Sequence, residues 1–178
     1  MAKQSKVRRP SSLPKKLQEA MNEQIKNEFA SAYLYLAMSA YCESLSLPGM
    51  ARWLRIQAEE EIEHGMKFYH FIIDRGGRVV LKAIEQPPAD FASPLDVFEH
   101  AYQHERQVSE MINDLYRLAQ EERDYSSQAF LHWFLEEQVE EEKIASQAAD
   151  MLRLAGDRGE ALLLVDRELG SRQREDSR

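Results

Sequence analysis

Apolar residues recur along this chain in steps of three and four, the period of an amphipathic α-helix, over four long stretches. The first spans about residues 13–42, with Ser12 as its expected N-cap and Pro14 in its first turn. Its seam reads Met21, Ile25, Glu28, Ala32, Tyr35. A turn at Leu47, Pro48 and Gly49 leads into the second, which runs to about residue 75 with the seam Met50, Leu54, Gln57, Glu61, His64, Phe68, Phe71. Gly76 and Gly77 stop it. The third opens at Ser93-Pro94-x-Asp96, an N-cap, an N1 proline and a first-turn acid, and continues through Phe98, Ala101, Glu105, Val108, Ile112, Leu115 and Ala119. After a break at residues 123–125 the fourth runs to Ala155, with the seam Phe130, Phe134, Glu137, Glu141, Ile144, Ala148, Met151, and Gly156 closes it. A short fifth stretch, about residues 159–169, carries Ala161-Leu162-Leu163-Leu164-Val165, too apolar to hang free in water. It needs a partner surface.

The connections are short, long and short, and the link at residues 77–93, with Pro87-Pro88, is long enough to travel the length of a helix. This predicts an all-α fold: a four-helix bundle with one long crossover between the second and third helices, plus a short C-terminal fifth helix. Each long helix should measure ~40 Å at ~1.5 Å per residue. No internal repeat interrupts this plan.

Each seam is broken near its middle by a carboxylate: Glu28, Glu61, Glu105 and Glu141, with His64 one turn beyond Glu61. A lone Glu-x-x-His or a lone seam glutamate means little, because helices are rich in both. Coincidence across four helices carries the argument. Four converging anions repel one another by several kcal/mol and each loses hydration, so they require a compensating cation. Metal ions supply it. Carboxylates with an imidazole and no thiolate suit iron, manganese or zinc, whereas calcium and magnesium seldom take histidine. Glu61 and His64, three residues apart, share a helix face and can reach one ion while Glu61 bridges to a second. Such a set can hold two divalent ions ~3.5–4 Å apart.

Composition narrows the setting. With 178 residues, 43% of them hydrophobic, and only seven glycines and six prolines, the chain suits one compact domain. Cys42 is the single cysteine, which excludes an intramolecular disulfide framework, a Cys-rich zinc site and a redox pair. Of the net charge of −8, residues 1–16 contribute +6 through six basic residues and no acid, so the remainder carries −14. An acidic body argues against nucleic acid as a partner and attracts cations. The expected organisation is a basic, disordered tail at residues 1–12, a helical domain at 13–169 and a disordered tail at 170–178. No apolar segment of signal-peptide type follows the basic start, and the longest apolar-rich run, residues 29–42, is too short to cross a bilayer. A cytoplasmic protein without membrane contact is expected.

These residues resemble the bacterial non-haem ferritins, of the ferritin-like di-iron bundles. The likeness covers about residues 13–169 and rests on Glu28 with Tyr35, AEEEIEH at 58–64, YQHE at 102–105, EEQVEEEK at 136–143 and VDREL at 165–169. It implies that Glu28, Glu61 and His64 bind one iron, and Glu61, Glu105 and Glu141 a second. Gln138 is implied to support a ligand rather than bind metal, and Tyr35 to be a nearby redox-active tyrosine. Glu60, Glu137 and Glu140, with Glu141, match the family's third iron site.

The likeness also has boundaries. Bacterioferritins carry a second Glu-x-x-His on the fourth helix and a haem-ligating methionine just after the glutamate of the first such motif. Here the fourth helix offers Gln138-x-x-Glu141 and the position after Glu61 is Ile62, so haem is not expected. Rubrerythrins need a Cys-rich iron module. The DNA-binding mini-ferritins lack the fifth helix and build their site between subunits. The function implied is iron storage with ferroxidase activity: Fe(II) oxidised by O2 or H2O2 at a dinuclear site and kept as ferric mineral in a hollow 24-subunit cage. The alternatives are a di-iron or di-manganese peroxide-scavenging enzyme on the same bundle, and a structural bundle without metal.

Overall fold

The computed structural model describes residues 12–156 and 158–173, and the regular structure among them is helical throughout. Five helices follow in order: α1 (Lys15–Ser44), α2 (Pro48–Asp74), α3 (Pro94–Glu121), α4 (Tyr125–Ala155) and α5 (Gly159–Gly170). Helices α1 and α2 pack as one pair and α3 and α4 as another. Helix α5 rests on α2 and α4. The expected four-helix bundle with a crossover and a short fifth helix is what the chain forms.

Local chemistry fixes the ends. Ser93 caps α3, its side chain accepting from the Asp96 amide, with Pro94 in the first turn. Asp124 caps α4 by accepting from the Ser127 amide at 2.8 Å. Ser12 does not cap α1, which begins without a side-chain cap. Its hydroxyl donates instead to the Arg75 carbonyl at 3.2 Å and accepts from Arg75 Nε at 3.0 Å. Arg75 then grips both oxygens of Asp124, at 3.0 and 2.7 Å. One guanidinium thus ties together the start of α1, the end of α2 and the start of α4. The same contact holds the Asp124 carboxyl down at about 2.

At the opposite end, α5 replaces a local cap. Asp166 Oδ1 accepts from the Met50 amide at 2.8 Å, stabilising the N-terminus of α2 from a distant part of the chain. The approach requires glycine on both sides. A Cβ on Gly49 would lie 1.8 Å from the Asp166 carbonyl oxygen, and one on Gly170 would lie 2.8 Å from Gly49 Cα. Leu162 and Val165 turn partly into the core, while Leu163 and Leu164 stay 63% and 66% exposed. The face of α5 that lacks a partner is therefore narrower than the sequence implied.

The crossover lies along α1. Asn22 donates to the Arg78 carbonyl at 3.0 Å and accepts from the Val80 amide at 2.7 Å. Residues 170–173, placed in a tail by sequence, are instead partly fastened: Gly170 ends α5, and the Gly170 and Arg172 carbonyls accept from Arg52 Nη1 at 2.5 and 2.6 Å. Nearly all of the expected basic tail, residues 1–11, lies outside the described residues, as do residues 174–178 of the expected C-terminal one.

The core is split in two. One apolar cluster gathers Met38, Met50, Leu54, Phe98, Ala148 and their neighbours with α5. The other gathers Leu17, Met21, Ile25, Phe68, Ile112 and Phe134. Between them lies a polar layer. In α4 the buried line is Leu131, Phe134, Gln138, Glu141, Ala145, Ala148, Leu152, one residue away from the expected seam at four positions. Phe130, Ile144 and Met151 are bulky and pack on its flanks, partly buried. Small Ala145 and Ala148 take the inner line, where helices approach closely.

Candidate metal centre

The polar layer is built from one turn of each long helix. Glu28 of α1, Glu61 and His64 of α2, Glu105 of α3 and Glu141 of α4 are each at most 4% exposed. Apolar neighbours above and below turn these residues inward, so their acids are almost wholly shielded from solvent.

Neutral donors meet some of the charge. Gln24 Nε2 donates to Glu28 Oε1 at 2.8 Å, and Gln57 Nε2 to Glu141 Oε2 at 2.7 Å. Gln138 Nε2 donates to Glu105 Oε2 at 3.1 Å and to the Glu105 carbonyl at 3.2 Å. The Tyr35 hydroxyl donates to Glu105 Oε1. Among the described residues, no donor group reaches two oxygens of the layer, Glu28 Oε2 and Glu61 Oε2; without a cation these two neighbouring carboxyls have only a shared proton to join them. Buried anionic oxygens left bare are costly, and a cation is the ligand that such atoms accept.

The protonation equilibria carry the same strain. Burial first, and the Glu61 charge second, push the Glu28 carboxyl well above its ordinary range. Burial and then Glu105 do the same to Glu61. Glu141 rises to about 8, chiefly through burial and then Glu105. Tyr35, sealed in and facing Glu105, is raised well above an ordinary phenol. Without a cation these acids prefer protons.

Among the described residues, two groups of donor atoms lie close enough to share an ion, each within 4.8 Å: Glu28, Glu61 and His64, and His64, Glu137 and Glu141. His64 Nδ1 is 3.7 Å from Glu61 Oε2, and its Nε2 is 4.0 Å from Glu137 Oε1. The first group is the set expected for one ion. Glu105 belongs to neither, being turned toward Tyr35 and Gln138, although its charge presses on both Glu61 and Glu141.

The three further acids assigned by sequence are not equivalent. Glu137 meets His64. Glu60 is drawn away to Arg172, whose Nη2 donates to Glu60 Oε2 at 2.9 Å. Glu140 sits at the surface, paired with Lys143 Nζ at 3.0 Å. Sequence reasoning passed over Gln24 and left Gln57 on its seam without a role. Both lie one helical turn before a buried glutamate, and that spacing was the available signal. Arg172 gave no local signal, because only the docking of α5 brings it here. His104 is also new to the site: it shares a 2.7 Å hydrogen bond with the Ser31 hydroxyl and stands edge-on to Tyr35 at 6.1 Å.

Comparison with known proteins reaches the same layer. The ferritin-like domain matches residues 18–155. A bacterial non-heme ferritin of Staphylococcus aureus (strain USA300) is 40% identical over 160 residues, covering 90% of this chain and 96% of that protein. One from Bacteroides fragilis (strain 638R) is 41% identical, covering 90% and 99%. The open pore ferritin of the hyperthermophilic archaeon Archaeoglobus fulgidus superposes with a TM-score of 0.90 at 46% identity, over 91% of this chain and 100% of that one. A humanized archaeal ferritin gives 0.89 at 44% identity. Matched in sequence and in fold over the helices that bury the four glutamates, this chain belongs to the ferritin family.

Proposed function

We propose that this chain is an iron-storage ferritin that oxidises Fe(II) at the buried carboxylate layer and keeps the product as ferric mineral inside a closed cage of its own copies, 24 by the family pattern. The observation that carries the reading is the pair of bare, buried oxygens, Glu28 Oε2 and Glu61 Oε2. Fe(II) is the substrate of this site. One Fe(II) takes Glu28, Glu61 and His64. The second takes Glu141 and Glu105, with Glu61 bridging, once Glu105 exchanges part of its contact with Tyr35 and Gln138 for the ion.

The chemistry follows from the donors. Hard, anionic oxygens favour Fe(III) over Fe(II), so the layer that collects the ions also favours their oxidation. Two Fe(II) give one electron each to a single oxidant. O2 then leaves as H2O2 after taking two protons, and H2O2 leaves as two waters after taking two. Gln57 and Gln138 hold Glu141 and Glu105 in place as these charges change. The two Fe(II) supply both electrons of each turnover; Tyr35, the redox-active tyrosine that the resemblance implies, stands beside them with its hydroxyl donating to Glu105.

Exposed Leu154, Leu163 and Leu164 lie at the end of the bundle that carries α5 and suit contact with neighbouring copies. No described helix is long and apolar enough to cross a membrane, and the reducing cytoplasm is where Fe(II) and the single thiol of Cys42 would both persist. Size-exclusion chromatography with iron analysis after aerobic Fe(II) loading tests the proposal. A large cage should hold iron far beyond a few ions per chain. A monomer or dimer would overturn the cage, and iron that stops at a few ions per chain would point to a peroxide-consuming enzyme.

A further inference from the structure

Arg172 belongs to no part of the mechanism above, yet it reaches the edge of the metal centre. It follows the end of α5, and two backbone anchors on Arg52 fix the turn that carries it. Its guanidinium lies 4.9 Å from the Trp53 ring centre, donates from Nη1 to Gln57 Oε1 and donates from Nη2 to Glu60 Oε2 at 2.9 Å. The Arg172 side chain is 17% exposed and that of Glu60 10%. This is an enclosed, three-sided seat for a cation that the protein itself supplies.

We propose that Arg172 is the built-in counter-cation of the third iron site, holding Glu60 away from metal until an incoming Fe(II) displaces the guanidinium. The inference rests on the third-site reading of Glu60, Glu137 and Glu140. Glu137 already stands beside His64 and Glu141, close enough to share an ion with them. To complete the set Glu140 must leave Lys143 in an exposed pair, whereas Glu60 must leave Arg172 in an enclosed one. The seat is selective for arginine. Guanidinium is planar and only donates, so one fork can serve the Gln57 amide oxygen and the Glu60 carboxylate at once. Because that fork only donates, it also fixes which end of the Gln57 amide faces it, leaving the NH2 end for Glu141. Lysine gathers its three donors on one atom and lacks the rigid planar fork that matches this pair of acceptors.

The consequence is an ordering of affinities. Among the described residues no lysine or arginine pairs with Glu61 or His64, whereas the third ion must compete with Arg172. Anaerobic Fe(II) titration of the metal-free, assembled protein tests this, with wild type, Arg172→Gln, Arg172→Lys and Glu60→Gln compared. Wild type should show two tight equivalents per chain and a weaker third. Arg172→Gln should tighten the third by about tenfold, equivalent to about 1.4 kcal/mol of relieved competition. Arg172→Lys should fall between, and Glu60→Gln should weaken the third equivalent further. Thermal unfolding of the metal-free chains gives a second readout: Arg172→Gln should melt lower than wild type, because Glu60 loses the guanidinium that is hydrogen-bonded to it. A third equivalent of unchanged affinity in both Arg172 variants would overturn the role of Arg172 and leave the third site standing. No third equivalent in any chain would overturn both.

Discussion

Two groups of acids lie within a few ångströms of each other in this molecule, and they are neutralised in opposite ways. The inner group, Glu28, Glu61, Glu105 and Glu141, is sealed in the bundle, and among the described residues no lysine or arginine pairs with it. Its partners are neutral amides, one phenol and one imidazole. In the outer group, Glu60 has Arg172 and Glu140 has Lys143. The inner group therefore needs a cation from outside, while much of the outer group brings its own. Burial alone does not separate them, since Glu60 is only 8% exposed. The partner does.

The comparison breaks most visibly at the bridging ligand. Glu61→Ala or His64→Ala should abolish rapid Fe(II) oxidation, exceeding the roughly 10–100-fold loss typical of removing a group that merely supports a ligand. The cage should remain intact, because neither side chain lies on an exposed face. Stopped-flow absorbance after mixing with aerobic Fe(II) measures this. Unchanged rates in both variants would move the site elsewhere.

A next effect concerns stability in the absence of metal. Glu28, Glu61 and Glu141 all have folded pKa values raised above 4.5, so the stability they contribute is fully present below pH 4.5 and is lost as pH rises through the folded value, about 8 for Glu141. The metal-free protein should therefore become less stable between about pH 5 and pH 8, by an amount on the order of a few kcal/mol. Glu61→Gln, which mimics the protonated acid, should flatten the slope. Zn(II) should reverse it, because the ligands bind metal only when deprotonated. Thermal unfolding across that window decides, and a flat profile for the metal-free wild type would contradict the account. Asp124, held at about 2 by Arg75, acts only at lower pH and does not disturb the window.

How much of this was legible in the chain follows the same division. The inner glutamates could be read because each interrupts an apolar seam, and a carboxylate at a core position is informative whatever packs around it. Phase was harder. In α4 the bulky Phe130, Ile144 and Met151 drew the expected seam one residue aside, whereas the structure buries Gln138, Ala145 and Leu152. Side-chain size marks hydrophobicity, but the closest approach of helices selects small residues. Local caps were legible at Ser93 and misleading at Ser12, whose hydroxyl serves Arg75, a residue distant in sequence. Arg172 could not be read at all. Its place depends on the glycine contact between Gly49 and Gly170 that seats α5.

The smallest expected effect lies in the outer group. Replacing Glu60, Glu137 and Glu140 together by Ala should remove one Fe(II) equivalent per chain, keep the other two and change the ratio of iron oxidised to oxygen consumed. Anaerobic titration with oxygen-electrode measurements follows both quantities. Loss of the tight pair as well would mean that the two groups form one site.

The central claim is that the cation lacking from the inner group is a pair of iron ions. Anomalous diffraction at the iron absorption edge, from crystals loaded anaerobically with Fe(II), tests it most directly. Two peaks per chain, ~3.5–4 Å apart, are predicted, one among Glu28, Glu61 and His64 and the other among Glu61, Glu105 and Glu141. A single peak beside Glu137, or none in the carboxylate layer, would contradict it.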